Sequence, residues 1–270
     1  MPVLVEVVRS INNVMVNNDP ANSNFAIIGS GNVAYFLAHH LSKAGLNLTQ
    51  IHSRNSKTGH ELAQLSGAKF EEDIASVNAE IIFIAVQDDQ IEFVLPLLPK
   101  SSKILISSGS FSLPESSVHQ WGIFYPLQTF SKSNYSAEFS GPILIETQNE
   151  TLRYFCVKLC LSFHFSHHYT TSQDRKNIHL CAVFLNNFVN HVACLGITEA
   201  KDRSIDPTLF TSLITKTFEN ILTFDPCQHQ SGPAKRNDKI IINEQLSLLK
   251  GNSKTVYHLL SESISAKHEK

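Results

Sequence analysis

The stretch Phe25-Ala26-Ile27-Ile28-Gly29-Ser30-Gly31-Asn32-Val33-Ala34 decides how the chain is read. Four apolar residues form a short strand, a glycine turn follows, and an amphipathic helix opens behind it. The turn spells G-x-G-x-x-A, the dinucleotide-binding fingerprint with Ala in the third small position. Each small residue has a physical task. Gly29 permits the tight turn, Gly31 lets the backbone approach a pyrophosphate, and Ala34 lets the helix pack closely on its strand. The free N–H groups of the helix N-terminus then face the phosphates.

Outward from this turn, the pattern alternates strand and helix. A helix is predicted over 32–44, with Val33, Phe36, Leu37 and Leu41 on one face and Gly45 as its stop. A second strand, about 48–53, ends in His52-Ser53-Arg54-Asn55. An NAD-specific fold places Asp or Glu near here for the ribose 2′-hydroxyl, whereas an NADP-specific fold places Arg for the 2′-phosphate. Positions 52–56 hold no acid and do hold Arg54, so NADP(H) is the expected cofactor. Further strands are expected at 68–70, 81–86, 104–106, 121–124 and 142–145, with helices over 57–65 and 90–97. Gln87-Asp88-Asp89 reads as the cap of the second of these. The whole argues a doubly wound, mostly parallel α/β sheet. Its expected cofactor contacts are Gly29, Ser30, Gly31, Asn32 and Val33 at the turn, Ser53 and Arg54 after strand two, Ala85, Val86 and Gln87 after strand 81–86, and Ser108 and Gly109 after strand 104–106.

Past residue 150 helices dominate: 151–161, 172–195 with Ser172-Gln173-Asp174 as its cap, 207–222, a stretch from about 232, and 255–266. A strand is read at 164–169. The expected organisation is an N-terminal extension over 1–22, a nucleotide-binding domain over 23–150 and a smaller helical domain over 151–270. The most apolar long window, 178–197, contains Asn186, Asn187, Asn190 and His191. It is read as too polar to span a membrane and as a helix buried between protein layers.

Composition narrows the class. The 270 residues are 42% hydrophobic and 17% charged, with net charge -2. That suits a packed soluble protein with no membrane partner, and the lack of a basic stripe argues against nucleic acid. Five cysteines without C-x-x-C or zinc spacing read as reduced thiols of a cytoplasmic protein. His164, His167 and His168 lack a carboxylate or Cys to complete a set, so no metal site is expected.

Three later stretches are more distinctive: Tyr125-Pro126-Leu127-Gln128-Thr129-Phe130, Asn177 to Phe188, and Ser231-Gly232-Pro233-Ala234-Lys235-Arg236-Asn237-Asp238. With the glycine turn, they resemble a bacterial family that pairs a Rossmann-like NADP-binding domain with a C-terminal helical domain of unknown function. That family is related to ketopantoate reductase, pyrroline-carboxylate reductase and 6-phosphogluconate dehydrogenase. The resemblance covers about 24–266 and implies an architecture and a cofactor, not a substrate. The family carries His where this chain has Tyr125 and Thr where it has Ser231. A phenol, with a pKa of about 10 against about 6.5 for imidazole, is a poor proton donor at neutral pH on its own.

Hydride transfer needs orientation plus a group that gives or takes a proton. In a two-domain reductase that group is expected from the helical part, facing an interdomain cleft. Arg175 and His179 are four apart and share a helix face, with Asn186 near it and Asn187 about 100° further round. His179 is the first choice for general acid, with Asn187 or Asn186 donating to substrate. The alternative is that these groups satisfy one another inside the helix packing. Thr217 and Arg236 are further candidates, Arg236 either for a substrate anion or as a partner of Asp238. The expected function is an NADP(H)-dependent oxidoreductase acting on a small carbonyl or imine compound; the alternative is a non-catalytic NADP-binding sensor. The apolar faces of the helical domain suggest a homodimer.

Overall fold

The computed structural model describes residues 19–268 apart from 113–119, 134, 137 and 224. The expected N-terminal extension thus lies mostly outside the described residues. Its end does not: a single 3-10 turn, Pro20–Asn22, is tied down by an Asp19–Lys158 ion pair at 2.9 Å.

Eight strands form one sheet: β1 (Asn24–Ile28), β2 (Asn47–His52), β3 (Lys69–Glu71), β4 (Ile81–Ile84), β5 (Lys103–Ile106), β6 (Gln120–Pro126), β7 (Ile143–Thr147) and β8 (His167–Tyr169). Their order is β3-β2-β1-β4-β5-β6-β7-β8. All neighbours pair parallel except β6 and β7. The order reverses between β1 and β4, the switch point outside which ligands bind in such sheets.

Helices cover both faces, so the strands read as unbroken apolar runs. Phe25, Ile27, Ile81, Phe83 and Leu105 point to the face packed by α1 (Asn32–Lys43), α2 (Ser56–Ser66) and α4 (Glu150–Ser162). Ala26, Ile28, Ile82, Ile84, Ile104 and Ile106 point to the other face, where Ile91 of α3 (Asp88–Val94) joins them. Strand alternation alone produces this division.

Helix ends follow side-chain chemistry. The Asn55 side chain accepts from the Thr58 N–H to start α2, and Gly67 ends it in the left-handed region at φ 73°. Asn149 caps α4 by accepting from the Leu152 N–H. Two expected caps are replaced. Thr171, not Ser172, caps α5 (Ser172–Ala182), because its hydroxyl reaches the Asp174 N–H. Gln87 precedes α3 without a side-chain cap bond, and Asp88 and Asp89 lie in the first turn, where the helix dipole favours acids.

Among the described residues, the first compact unit runs to Phe184 and the second begins at Leu185. The expected boundary near 150 falls inside the first unit, since α4 packs on β7 and β8 pairs with it. The strand expected from 164 is shorter because His164 adopts a left-handed φ of 59° in the preceding turn. A π-helical segment, Val183–Phe188, leads from α5 into α6 (Val189–Asp202). The second unit continues with α7 (Thr211–Thr223), α8 (Lys239–Leu248) and α9 (Gly251–His268).

The expectation that 178–197 is a buried helix is corrected. Phe184 is 60% exposed and Leu185 70% exposed, with Phe188 also in the open. Ser172–Asp202 is long and apolar enough by composition to cross a membrane, yet no part of its most apolar window is buried within the chain. Composition reveals that a helix wants cover, not what covers it.

Candidate functional site

A cavity of about 420 Å3 opens at the switch point, within the size range of small-molecule sites. Its floor is the glycine turn. Gly29 has φ 122°, and a Cβ there would stand 2.3 Å from the Ala85 carbonyl oxygen. Only glycine fits, both for the backbone angle and for the strand-to-strand approach. At Gly31 a Cβ would meet nothing within 4 Å, so the backbone faces open space. Gly31 also caps α1 without a side-chain bond, which leaves the first-turn N–H groups for an anion.

Gly29, Ser30, Gly31, Asn32, Val33, Ser53, Arg54, Ala85, Val86 and Gln87 all line this cavity, as expected from the sequence. At one end, the Ser30 hydroxyl lies 2.6 Å from both the Ser53 and the Thr58 hydroxyls. Arg54 Nη1 donates to Gln90 Oε1 at 2.8 Å. Among the described residues no Asp or Glu lines the cavity; Glu72 faces an adjoining recess shared with Arg54 and Phe70. A cluster of hydroxyls with a guanidinium and no carboxylate suits a phosphate better than a bare ribose diol.

Ser108 and Gly109 sit just beyond the cavity wall, which Ser107 closes. The Ser108 hydroxyl accepts from the N–H groups of Ser110 and Phe111, so it shapes its own loop. Gly109 lies against His179: a Cβ there would be 2.4 Å from Nδ1. The Tyr125 hydroxyl, at the end of β6, is 3.1 Å from the same Nδ1. Burial raises the phenol's pKa, and the charge of Asp88 adds to this while Arg175 offsets it in part. Asp88 is itself hydrogen-bonded to the Ser110 hydroxyl. Tyr125, His179 and Gly109 are therefore brought together at the carboxyl ends of β5 and β6.

Arg175 holds this arrangement from below. It is completely buried, and Nη2 pairs with Glu146 at 2.9 Å. Nη1 donates to the Ser108 carbonyl at 3.1 Å and Nη2 to that of Phe111. Sharing a helix face with His179, it ties α5 to the loop after β5 rather than presenting charge to a ligand.

The remaining candidates lie in or at the edge of the second unit. Asn186 Nδ2 donates to Asn187 Oδ1 at 3.3 Å, and both are exposed within the π-helical segment. The two asparagines thus bond each other, while His179 takes Tyr125. Thr217 is exposed, and its hydroxyl donates to the Leu213 carbonyl one turn back. Arg236 is exposed; the Asp238 carboxylate instead caps α8 by accepting from the Ile241 N–H. No ion pair joins Arg236 to Asp238 among the described residues.

Two families divide the sequence between them. Residues 24–110 match the family described as NADP oxidoreductase, coenzyme F420-dependent, and residues 141–264 match a domain of unknown function, DUF2520. The chain thus joins a match to the NADP oxidoreductase family in its first half to a match to this C-terminal domain in its second. Among solved structures it is similar to a protein of Bacteroides fragilis named as a candidate NADP oxidoreductase. The two share 29% identity over 92% of this chain and 99% of the other, with a TM-score of 0.82. A Thermotoga maritima protein is 20% identical over 90% of this chain and 98% of its own, with a TM-score of 0.61. The pyrroline carboxylate reductase of Plasmodium falciparum, solved with NADP bound, is 15% identical over 92% of this chain and 99% of its own, with a TM-score of 0.51. These last two share the fold. No curated protein matches the sequence. Family and cavity chemistry agree on NADP(H) as the cofactor of this oxidoreductase.

Sequence reading missed Gln90, which lines the cavity and bonds Arg54, and Asn55, which lines it while capping α2. Gln90 lies one turn into α3 from Gln87, so helix periodicity could have found it. It also missed that the Gly109 backbone is packed against the His179 ring, for which no local signal exists.

Proposed function

We propose that this oxidoreductase transfers a hydride between NADP(H) and a small carbonyl or imine compound. The observation that carries this reading is the half-exposed His179 imidazole at the carboxyl end of the sheet, held by Tyr125 and by Gly109, which itself follows Ser107 of the nucleotide cavity by two residues. When bound, the nicotinamide ring supplies or accepts the hydride. The chain's own residues do the rest. The α1 N-terminus and the turn Gly29–Val33 hold the pyrophosphate. Ser30, Ser53, Arg54 and Thr58 select the 2′-phosphate. Ala85, Val86, Gln87 and Ser107 form the wall at the nicotinamide end, with Ser108 and Gly109 behind it. His179 is the proton donor to the oxygen or nitrogen that is reduced. The test is NADPH oxidation by the purified protein across a panel of small aldehydes, ketones, oxoacids and cyclic imines. Turnover that His179→Gln abolishes, with NADPH affinity retained, supports the reading. NADPH binding without oxidation of any compound would favour a sensor.

We also infer a cytoplasmic homodimer. Among the described residues of the second unit only Ala200, Ala234 and Ser261 are buried, while Leu209, Leu213, Leu222 and Ile240 are each more than 60% exposed. A helical unit of this kind needs its apolar faces covered, and a second copy is always available in equal amount. Light scattering should give a mass near twice the 30.1 kDa of one chain. A monomer at micromolar concentration contradicts this.

A further inference from the structure

We propose that Tyr125 fixes the neutral His179 ring in the tautomer that carries its proton on Nε2, and passes its own phenolic proton to Nδ1 as Nε2–H is given to substrate. This deepens the reading of His179 as proton donor and rests on it.

The geometry points this way in three steps. First, among the described residues the Tyr125 hydroxyl has one hydrogen-bond partner, His179 Nδ1 at 3.1 Å. A half-buried O–H with one partner acts as the donor, because an unpaired donor costs more than an unused lone pair. Burial and the nearby Asp88 carboxylate keep the phenol protonated through neutral pH, so the donor is always loaded. Nδ1 therefore accepts, and the ring proton resides on Nε2. The hydrogen bond made by one ring nitrogen sets the state of the other.

Second, the ring cannot readily turn to exchange its nitrogens. The Gly109 backbone packs where a Cβ would stand 2.4 Å from Nδ1 and 2.6 Å from Cγ. Gly109 thus allows the ring to sit close and hinders it from rotating. Third, the loop carrying Gly109 and the helix carrying His179 are locked to each other by buried Arg175, which bonds the Ser108 and Phe111 carbonyls and Glu146. With Nδ1 occupied, Nε2 of the half-exposed imidazole has no hydrogen-bond partner among the described residues.

Protons balance without a further reactant. The substrate gains a hydride at carbon and the Nε2 proton at oxygen or nitrogen. Nδ1 takes the proton of Tyr125, the ring ends neutral, and the tyrosinate is reprotonated by water. A tyrosine beside a histidine here does the work that a lone phenol could not, and Tyr125 is a positioning residue because it acts through His179.

The test uses the full chain labelled with 15N-histidine, with long-range proton–nitrogen correlation spectra at neutral pH. The His179 signals are assigned by their loss in His179→Gln. The expected result is a non-protonated, pyridine-type Nδ1 and a protonated, pyrrole-type Nε2, with Tyr125→Phe moving both nitrogens toward an averaged mixture while NADPH affinity holds. A protonated Nδ1 in the wild type, or spectra unchanged in Tyr125→Phe, would overturn the proposal. On a substrate found by the panel, Tyr125→Phe should lower kcat by about a hundredfold with KM little changed; an unchanged kcat would also overturn it. The tautomer is read without turnover, so absence of any substrate would count against the reductase reading and leave this result standing on its own.

Discussion

The first unit and the second differ in where their apolar residues go. In the first, Phe25, Phe83, Phe124 and Phe155 are wholly buried between sheet and helices. In the second, Leu213 is 65% exposed and Leu222 86% exposed. The nucleotide half is thus complete in one chain, and its site can be built on rigid strand ends. The helical half carries apolar side chains that the single chain leaves exposed. The contrast separates two kinds of sequence signal: one that specifies a packed site, and one that specifies a surface to be covered.

The largest effect should come from cavities on either side of this divide. Phe155→Ala removes a fully buried ring and should cost about 3–5 kcal/mol in urea unfolding, whatever the protein concentration. Leu222→Ala should cost less than about 0.5 kcal/mol if the second unit is solvated as a single chain. If a second copy covers it, the loss is larger and grows on dilution. Equal, concentration-independent losses at both sites would erase the distinction.

Acid should find the first unit at a particular histidine. His40 is buried among Phe36, Phe163 and Phe165, and its pKa falls from 6.5 to about 4, first because burial disfavours the charged ring, then because His39 and Lys43 repel it. The unfolded chain binds this proton near 6.5 and the folded one only near 4. The stability His40 contributes as a neutral ring is therefore full above pH 6.5 and falls away as pH drops toward 4, by as much as about 3 kcal/mol. His40→Leu should flatten this part of the pH–stability curve. An unaltered slope would place the acid sensitivity elsewhere.

Much of the first unit was legible in the sequence, because local chemistry decides it. The run Phe25–Ile28, the two glycines of the turn and Gly45 behind α1 each act within a few residues. The limits arise where distant residues decide. Arg175 looks like any helix charge until Glu146, Ser108 and Phe111 surround it. The strand β8 is three residues long and belongs to the sheet only because β7 lies beside it. The π-helical segment 183–188 shifts the phase of the helix, so the face shared by His179 and the asparagines could not be projected at 3.6 residues per turn.

A smaller effect would sharpen the cofactor assignment. Arg54→Ala should weaken NADPH by about 1.5–3 kcal/mol, the range for a hydrogen bond to a charged group, and leave NADH nearly unchanged. Equal losses for both nucleotides would remove Arg54 from the 2′-phosphate site.

The most direct measurement is calorimetric titration of the unaltered protein with NADPH and NADH side by side. A cavity with Ser30, Ser53 and Arg54 at one end, Thr58 bonded to Ser30, and no carboxylate among the described residues of its lining predicts that NADPH binds at least about tenfold more tightly, the factor that 1.4 kcal/mol supplies. Equal affinities, or a preference for NADH, would contradict the account.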